Sequence, residues 1–300
     1  VRGAINCNLS QTQACAYVAI RSAMGVDIPN NDGCFRPITV IAPKATITNM
    51  QHPAACASRG VTGFRIIDAT LGALAQALPD KICAACEGGT STGRFGFTGP
   101  DGNTTVFYDN VYGIQGALPE CDGISGVSSL AANLSNVSIE MIESNIPVRI
   151  GKYTLLPDSG GPGKFRGGQS IQREWQMLQP CNMTFRSDRR KFPPYGLNNG
   201  LTGNPSNSTL IQSGKTTSTV LPTKINRRFN TGDIFTHTSP GGGGHGHPYS
   251  RDPNEVLRDW IEDRITIQHA KNIYGVVIDK TKLVVNYRLT EKVRLSANKT

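Results

Sequence analysis

No apolar run in this 300-residue chain approaches the roughly 18 residues that a membrane-spanning helix requires. No signal peptide is expected from its first residues, which show no charged and then apolar leader pattern. It opens at Val1 with VRGAINCN and no Met, as expected of a processed subunit or a piece of a longer polypeptide. Paired-carboxylate, GxSxG and HExxH patterns are all missing, which removes the best-marked hydrolase and metalloprotease classes. There is no internal repeat. The charge of +9 is not gathered on any recognisable nucleic-acid module. Its densest runs, RSDRRK at 186–191 and KINRRF at 224–229, are flanked by Pro, Gly and Asn and read as solvated loop charge.

Two stretches imitate a phosphate-binding loop, which needs a Gly five positions before a Gly-Lys pair, then Ser or Thr and a helix. In DSGGPGKF the leading position is Asp158, and Phe165 follows Lys164. In TLIQSGKTT the leading position is Thr209, and the β-branched sequel TSTVLPT resists helix formation. Any ATP used by this protein is therefore expected on another polypeptide or segment.

What is present is cysteine, 8 residues scattered through small and apolar surroundings of a long chain, a pattern that favours reduced thiols in a cytoplasm. Cys83 and Cys86 form one CxxC, but no second CxxC or His pair lies near it in sequence to complete a zinc site, leaving only a remote thiol such as Cys56 or Cys121.

Gly and Pro are abundant, 33 and 18, and punctuate short β-branched and aromatic runs. Strands are expected at 104–113, 147–156, 171–178 and 181–187, and the polar stretch 191–218 is expected to be a mobile loop or excursion. A first helix is expected from a capping box on Ser10 and Gln13 to a stop at Gly25, and a second from Asp68 to Leu78. The clearest signal is Asp252 as cap, Pro253 at the first helical position and Glu255 completing a box, with Val256, Leu257, Trp260 and Ile261 facing inward. A short helix over 266–274 closes on Gly275, and VVID and LVVNYRL follow as a strand pair. The fold class is α+β, β-rich with a few amphipathic helices. Residues 1–87 read as an α/β segment with two helices, and residues 88–300 as a β-rich segment ending in two helices and a hairpin, together one continuous unit.

Four stretches carry more: GCFRPITVIAP at 33–43, LPDSGGPGKFRGGQSIQREW at 156–175, SPGGGGHGHPYSRDP at 239–253 and AKNIYGVVID at 270–279. In this order they resemble the hydantoinase B / oxoprolinase family, and the resemblance covers nearly the whole chain as the carboxyl-terminal half of a family member. It implies ATP-dependent opening of 5-oxoproline, hydantoin or lactam rings, or ketone carboxylation in a sister branch; a non-catalytic scaffold is the rival class. It also implies a hetero-oligomer in which ATP and Mg are held by a hydantoinase A-type ATPase partner, and any divalent metal by the upstream half. No nucleotide or metal ligand transfers onto this sequence, and no nucleic-acid or membrane partner is implied.

Within the DSGGPGKFRGG run, Asp158, Lys164 and Arg166 alternate with glycines that let amides approach an anionic intermediate. The alternative is a glycine-rich turn pinned by an Asp158 to Arg166 ion pair. In GGGGHGHPYSRD, Gly241, Gly242, Gly243 and Gly244 supply backbone freedom for a substrate or interface loop that also carries His247 and Arg251. His245 and His247 are two apart, so on an extended strand they face one side, which is half a metal site. Asp158, Arg166 and His245 are the candidate catalytic residues. Cys34 lacks an identifiable base and reads as a packing residue.

Overall fold

The computed structural model describes residues 1–24, 27–130 and 132–297. The chain begins with α1 (Leu9–Ala23), the single-turn α2 (Asp32–Phe35) and α3 (Arg59–Leu74). Asn8, not Ser10, caps α1, its side-chain oxygen accepting from the Gln11 amide at 3.0 Å. Gly25 lies outside the described residues. The helix expected from Asp68 starts upstream at Arg59 and ends at Leu74, with the chain turning on through Leu78. Thr62, Gly63 and Ile67 continue the buried stripe of Leu71 upstream, so the apolar face is longer than its leucines suggest. It packs on Cys15 and Ala19 of α1.

A β-sandwich follows. One antiparallel sheet has the order β2-β1-β5-β8, from β1 (Ser91–Thr98), β2 (Thr104–Val111), β5 (Cys181–Arg186) and β8 (Lys224–Phe229). The other has the order β3-β4-β9-β6-β7, from β3 (Val148–Leu155), β4 (Ile171–Met177), β6 (Asn207–Ile211), β7 (Ser218–Val220) and β9 (Ile234–Thr238). A short helix, α4 (Ile139–Asn145), leads into β3 under a Ser138 cap. The period of two that marks β1, β4 and β5 buries alternate residues, and these meet between the sheets. Trp175 stacks on Phe235 at 5.5 Å between centroids, and Phe185 meets Phe235 edge-on at 4.8 Å. All four strands expected from the sequence form. The expected loop over 191–218 instead contains β6, which pairs along β9, because Ser208 and Leu210 alternate inward within a stretch whose polar composition hides the period. The second phosphate-loop lookalike is the turn joining β6 to β7, with Gly214 at φ +76°.

At the carboxyl end, α5 (Pro253–Ile261) and α6 (Ile267–Asn272) start at Asp252 and Thr266, whose side chains cap them. Ile261 points outward, contrary to the expected inward stripe, while Asp259 is buried in its place. The strand pair is reduced to β10 (Ile278–Asp279) and β11 (Val284–Val285), and a further helix, α7 (Tyr287–Ala297), follows where a strand was expected. Asn286 caps it by accepting from the Leu289 amide at 3.1 Å. Its face buries Thr290, whose hydroxyl accepts from the Val277 amide, so the helix is held by polar contacts that an apolar period does not reveal.

The four glycines at 241–244 form an extended, buried run at the centre of this assembly. None of them adopts a left-handed φ, so freedom is not what they provide. Their amides and carbonyls bond outward to separate segments: Gly241 N to Asn204 O, Gly242 N to Gly168 O, Gly243 N to Ala85 O and Gly244 N to Leu201 O, each at 2.9 Å. Gly161 N and Ala117 N donate back to Gly242 O at 2.7 Å and Gly243 O at 2.9 Å. A Cβ on Gly242 would lie 2.1 Å from Gln115 O, and one on Gly243 2.0 Å from Tyr195 O, both backbone atoms. Absence of side-chain bulk lets these backbones meet.

Beside this run lies a second buried polar group. Glu87 is 3% exposed, accepts from the Gly113 amide at 3.2 Å, and its carboxyl pKa is pushed up by burial to about 8 despite the nearby Arg65 and Arg189. Arg189 pairs with Asp68 and donates to Glu87 O at 3.2 Å, tying α3 to the strand region.

Gly243→Ala is expected to cost on the order of 3 kcal/mol, because backbone rather than a side-chain end must move. Gly3→Ala, which meets only Ile5 Cγ1 at 3.9 Å, should stay within about 0.5 kcal/mol in urea unfolding. Glu87 has a folded pKa above its unfolded value, so its contribution to stability is complete below about pH 4.3 and is lost as the pH rises through about 8. Unfolding free energy measured from pH 5 to 9 should therefore fall by up to about 1.4 kcal/mol per unit over this window, and Glu87→Gln should flatten that slope.

Candidate functional site

The DSGGPGKFRGG and GGGGHGHPYSRD stretches are bonded directly to each other. Phe165 and His245 exchange two backbone hydrogen bonds of 2.9 Å, and Lys164 N donates to Gly246 O at 3.0 Å. Gly246, at φ +74°, then turns the chain. That turn separates the two histidines. His245 is buried with Nε2 against Asn198 Nδ2 at 3.1 Å and Pro79 O at 3.4 Å, whereas His247 is exposed and its Nδ1 accepts from the Tyr249 amide at 3.1 Å. The extended strand that would have put both rings on one side is broken between them.

Asp158 and Arg166 do not pair. Asp158 accepts from the amide and the hydroxyl of Thr266, each at 2.7 Å, and so sets the start of α6. Arg166 turns inward, 3% exposed, with Nε 3.4 Å from Asp259 Oδ1, Nη2 3.6 Å from Asp122 Oδ2 and Nη1 donating to Gly167 O at 2.8 Å. Arg251 completes the cluster. Its two terminal nitrogens donate to the two Asp122 oxygens at 2.7 and 2.8 Å, and Nη2 lies 2.8 Å from Asp259 Oδ2. Two buried guanidiniums thus share two carboxylates, the buried Asp259 and the partly exposed Asp122, and half-exposed Arg264 adds a contact to Asp259 at 3.7 Å.

The charges shift one another. Burial alone would raise the Asp122 carboxyl, but the Arg251 hydrogen bonds and the charges of Arg251 and Arg166 outweigh it and hold Asp122 below the ordinary carboxylate range. Burial opposes the charge on Arg251 too, and Asp122 and Asp259 overcome it, raising its pKa. Tyr274 lies alongside with its hydroxyl pKa pushed up by burial and its Oη without a partner among the described residues.

In front of this cluster opens a cleft of about 740 Å³. Asp122, Lys164, Arg251, Asp252, Tyr287 and Arg294 line it, with the exposed thiol of Cys121 at the rim. Arg294 braces the wall by donating to Arg251 O at 2.9 Å and Tyr274 O at 3.1 Å. Arg251 and Lys164 are the sequence candidates that line the cleft. Arg166 stands behind it, and Asp158, His245 and the glycine run hold the frame. Asp122, Asp259 and Tyr274 were not singled out in the sequence, since Asp259 is 93 residues from Arg166 and Asp122 is 129 from Arg251. No short-range spacing marks such partners. Cys34 is buried, its thiol 3.7 Å from Met24 Sδ, and Arg36 pairs with Asp32 on the surface.

A family model for Hydantoinase B/oxoprolinase matches residues 1–248. The chain is 36% identical over 293 residues to an uncharacterised protein of Methanocaldococcus jannaschii, spanning 97% of this chain and 51% of that protein. It is 33% identical over 280 residues to a protein of Pseudomonas sp. (strain NS671) provisionally named as the B-type component of a D-/L-hydantoinase, spanning 92% of this chain and 46% of that protein. The crystal structure of the ATP-dependent caprolactamase from Pseudomonas jessenii has the same fold over 97% of this chain and 52% of its own, with a TM-score of 0.86 at 25% identity. The chain spans about half the length of these two relatives.

Asp122→Asn should leave both buried arginines short of a charge and cost about 2 to 4 kcal/mol in urea unfolding, whereas Arg258→Gln, which breaks the exposed pair with Glu255, should cost under about 1 kcal/mol. The Asp122 contribution is present above its unfolded pKa of about 3.9 and is lost as the pH falls through the lower folded value. Acid unfolding of the Asp122→Asn protein should accordingly be shallower than that of the parent.

Proposed function

Since this chain belongs to the hydantoinase B/oxoprolinase family, we propose that it is part of the B-type subunit of an ATP-dependent amidohydrolase that opens 5-oxoproline, hydantoin or lactam rings. An unstrained cyclic amide is a poor electrophile. Phosphorylation of its oxygen supplies a leaving group and commits the ring to opening. In this reading a hydantoinase A-type partner binds ATP and Mg and performs that step in a hetero-oligomer, and the present chain holds the activated small molecule. Without the partner the chain is inactive.

The observation that carries the reading is the cleft in front of Arg251. It is polar, large enough for a small ring, and lined by the cations Lys164, Arg251 and Arg294 among the acids Glu120, Asp122, Asp252 and Glu255, with Arg251 held in place by Asp122 and Asp259. Lys164 is assigned to contact the anionic, activated substrate, since an ammonium offers charge-assisted donors to phosphoryl oxygens, and Arg251, whose terminal nitrogens are held by Asp122 and Asp259, fixes the wall beside it and holds the Lys164 carbonyl at 3.0 Å. Arg166 is a positioning residue that acts through the shared aspartates. His245 and Asp158 act by fastening the loop and α6. Support for the reaction class comes from the likeness to the caprolactamase structure and to the hydantoinase component. Both phosphate-loop lookalikes serve other ends here, one as a backbone partner of residue 246 and one as a hairpin turn, which agrees with nucleotide binding elsewhere. Among the described residues no three His, Cys, Asp or Glu side chains converge as metal ligands.

Reconstitution decides the matter. The purified protein is mixed with its A-type partner and phosphate release is followed with 5-oxoproline, hydantoin, caprolactam and acetophenone. Stimulation by a cyclic amide is expected, with Arg251→Gln lowering it at least roughly tenfold. Stimulation by acetophenone and bicarbonate alone would replace the reading with ketone carboxylation, and no stimulation in a complete complex would leave a scaffold.

A further inference from the structure

Each sheet of the sandwich ends in two strands that have a neighbour on one side only, β2 and β8 in the first and β3 and β7 in the second. An open edge presents a row of amides and carbonyls with which another strand can pair, and charge, bulges or shortness ordinarily block it. Three of these edges are blocked in that way. The KINRRF run, expected as loop charge, forms β8 and sets the exposed Lys224, Arg227 and Arg228 along it. In β3 the register shifts between Ile150 and Lys152, and Arg149 and Lys152 are exposed beside the break. β7 has only 3 residues.

The edge of β2 carries none of these devices. Its 8 residues, TTVFYDNV, pair with β1 in unbroken register from Thr104 opposite Thr98 to Val111 opposite Ser91. They include no Lys, Arg or Pro, and their one charged residue, Asp109, turns inward to Arg173 and Trp175. At the hairpin Gly99 N donates to Asn103 O at 2.8 Å. Bonded and non-bonded pairs alternate along an antiparallel ladder, so Thr105, Phe107, Asp109 and Val111 bond to β1, and the backbone groups of Thr104, Val106, Tyr108 and Asn110 face the open edge. Tyr112, the next in that series, shows what the edge wants. Its amide donates to Asn136 Oδ1 at 2.8 Å and its carbonyl accepts from Asn136 Nδ2 at 2.8 Å, so one side-chain amide takes the place of a pairing strand. From Thr104 to Asn110 nothing among the described residues does the same. Along this stretch Val106 is 54% and Tyr108 52% exposed.

We infer that the open edge of β2 pairs with β2 of a second copy of this chain, antiparallel across a two-fold axis at Phe107. Such an axis sets Val106 opposite the partner's Tyr108 and Thr104 opposite the partner's Asn110, so every edge-facing amide meets an edge-facing carbonyl and the same residues serve on both sides. A β-branched residue then packs across from an aromatic one, a favourable cross-strand pair. Symmetry and charge favour a second copy over a foreign strand. The edge is neutral, so two copies meet without like charges in contact, and the nearest cation, Arg94 at 5.1 Å from the Tyr108 ring centroid, lies one strand back. The net charge of +9 still repels at longer range. Pairing should therefore tighten with added salt, the reverse of docking onto an acidic partner. The strand shares no residue with the cleft in front of Arg251, and the inference does not rest on the catalytic reading above.

Analytical sedimentation of the purified protein over a range of concentrations tests it. The mass is expected to rise from 32.2 kDa to twice that value as concentration increases, with the midpoint moving to lower concentration in added salt. Hydrogen exchange at the Val106 and Tyr108 amides should slow as the dimer forms. Val106→Lys puts a charge on the edge and should weaken association at least roughly tenfold, whereas Val220→Lys, at an exposed position of β7, should leave it unchanged. Both side chains face solvent, so both variants are expected to fold, which thermal unfolding checks. Should Val106→Lys fail to fold, the exchange rates of the parent protein decide alone. A mass of 32.2 kDa at every concentration, a dimer whose Val106 and Tyr108 amides exchange as fast as in the monomer, or equal weakening by Val220→Lys overturns the inference. So does protection of those amides only on mixing with an A-type partner, which would assign the edge to a foreign strand.

Discussion

Everything that positions the cleft depends on backbones lying closer together than any side chain would allow. Around 241–244 the amides of one extended run reach carbonyls of segments near 85, 168, 201 and 204, and a Cβ at Gly242 or Gly243 would overlap a backbone oxygen at about 2 Å. Since buried amides must find acceptors, this arrangement forms only if all the neighbouring segments are in place together. Stability of the frame and geometry of the site are in this sense one property.

The frame in turn explains the buried charges. The loop over 158–168 is bonded to the run that leads into Arg251, so Arg166 and Arg251 emerge side by side with their heads turned to the same two aspartates. Such a cluster is weak as a source of stability, because desolvation offsets most of the attraction, but it leaves one orientation for each side chain. A wall built this way presents Arg251 to the cleft without the rotamer freedom of a surface arginine.

Local signals were read well where the physics is local. The cap at Asp252, the stop at Gly275 and the four strands of alternating burial depend on residues within a turn or a strand of one another. Misreadings follow the same line. The loop expected over 191–218 conceals β6 because its inward residues include Ser208, and α7 stands where a strand is expected because its buried face is polar. On an extended strand the two histidines would share a side, and a single glycine with positive φ parts them. Of the cleft, Arg251 and Lys164 were within reach of the sequence, while Asp122, Asp259 and Tyr274 were not, being brought in from remote segments by the fold.

From the residues alone come the α+β class, the glycine-rich stretches that mark the family and the exclusion of a phosphate loop, since each is a matter of composition, period or short spacing. Tertiary structure decided what those glycines are for and which charges neutralise one another. Those outcomes are distances between atoms far apart along the chain, and only the packed backbone sets them.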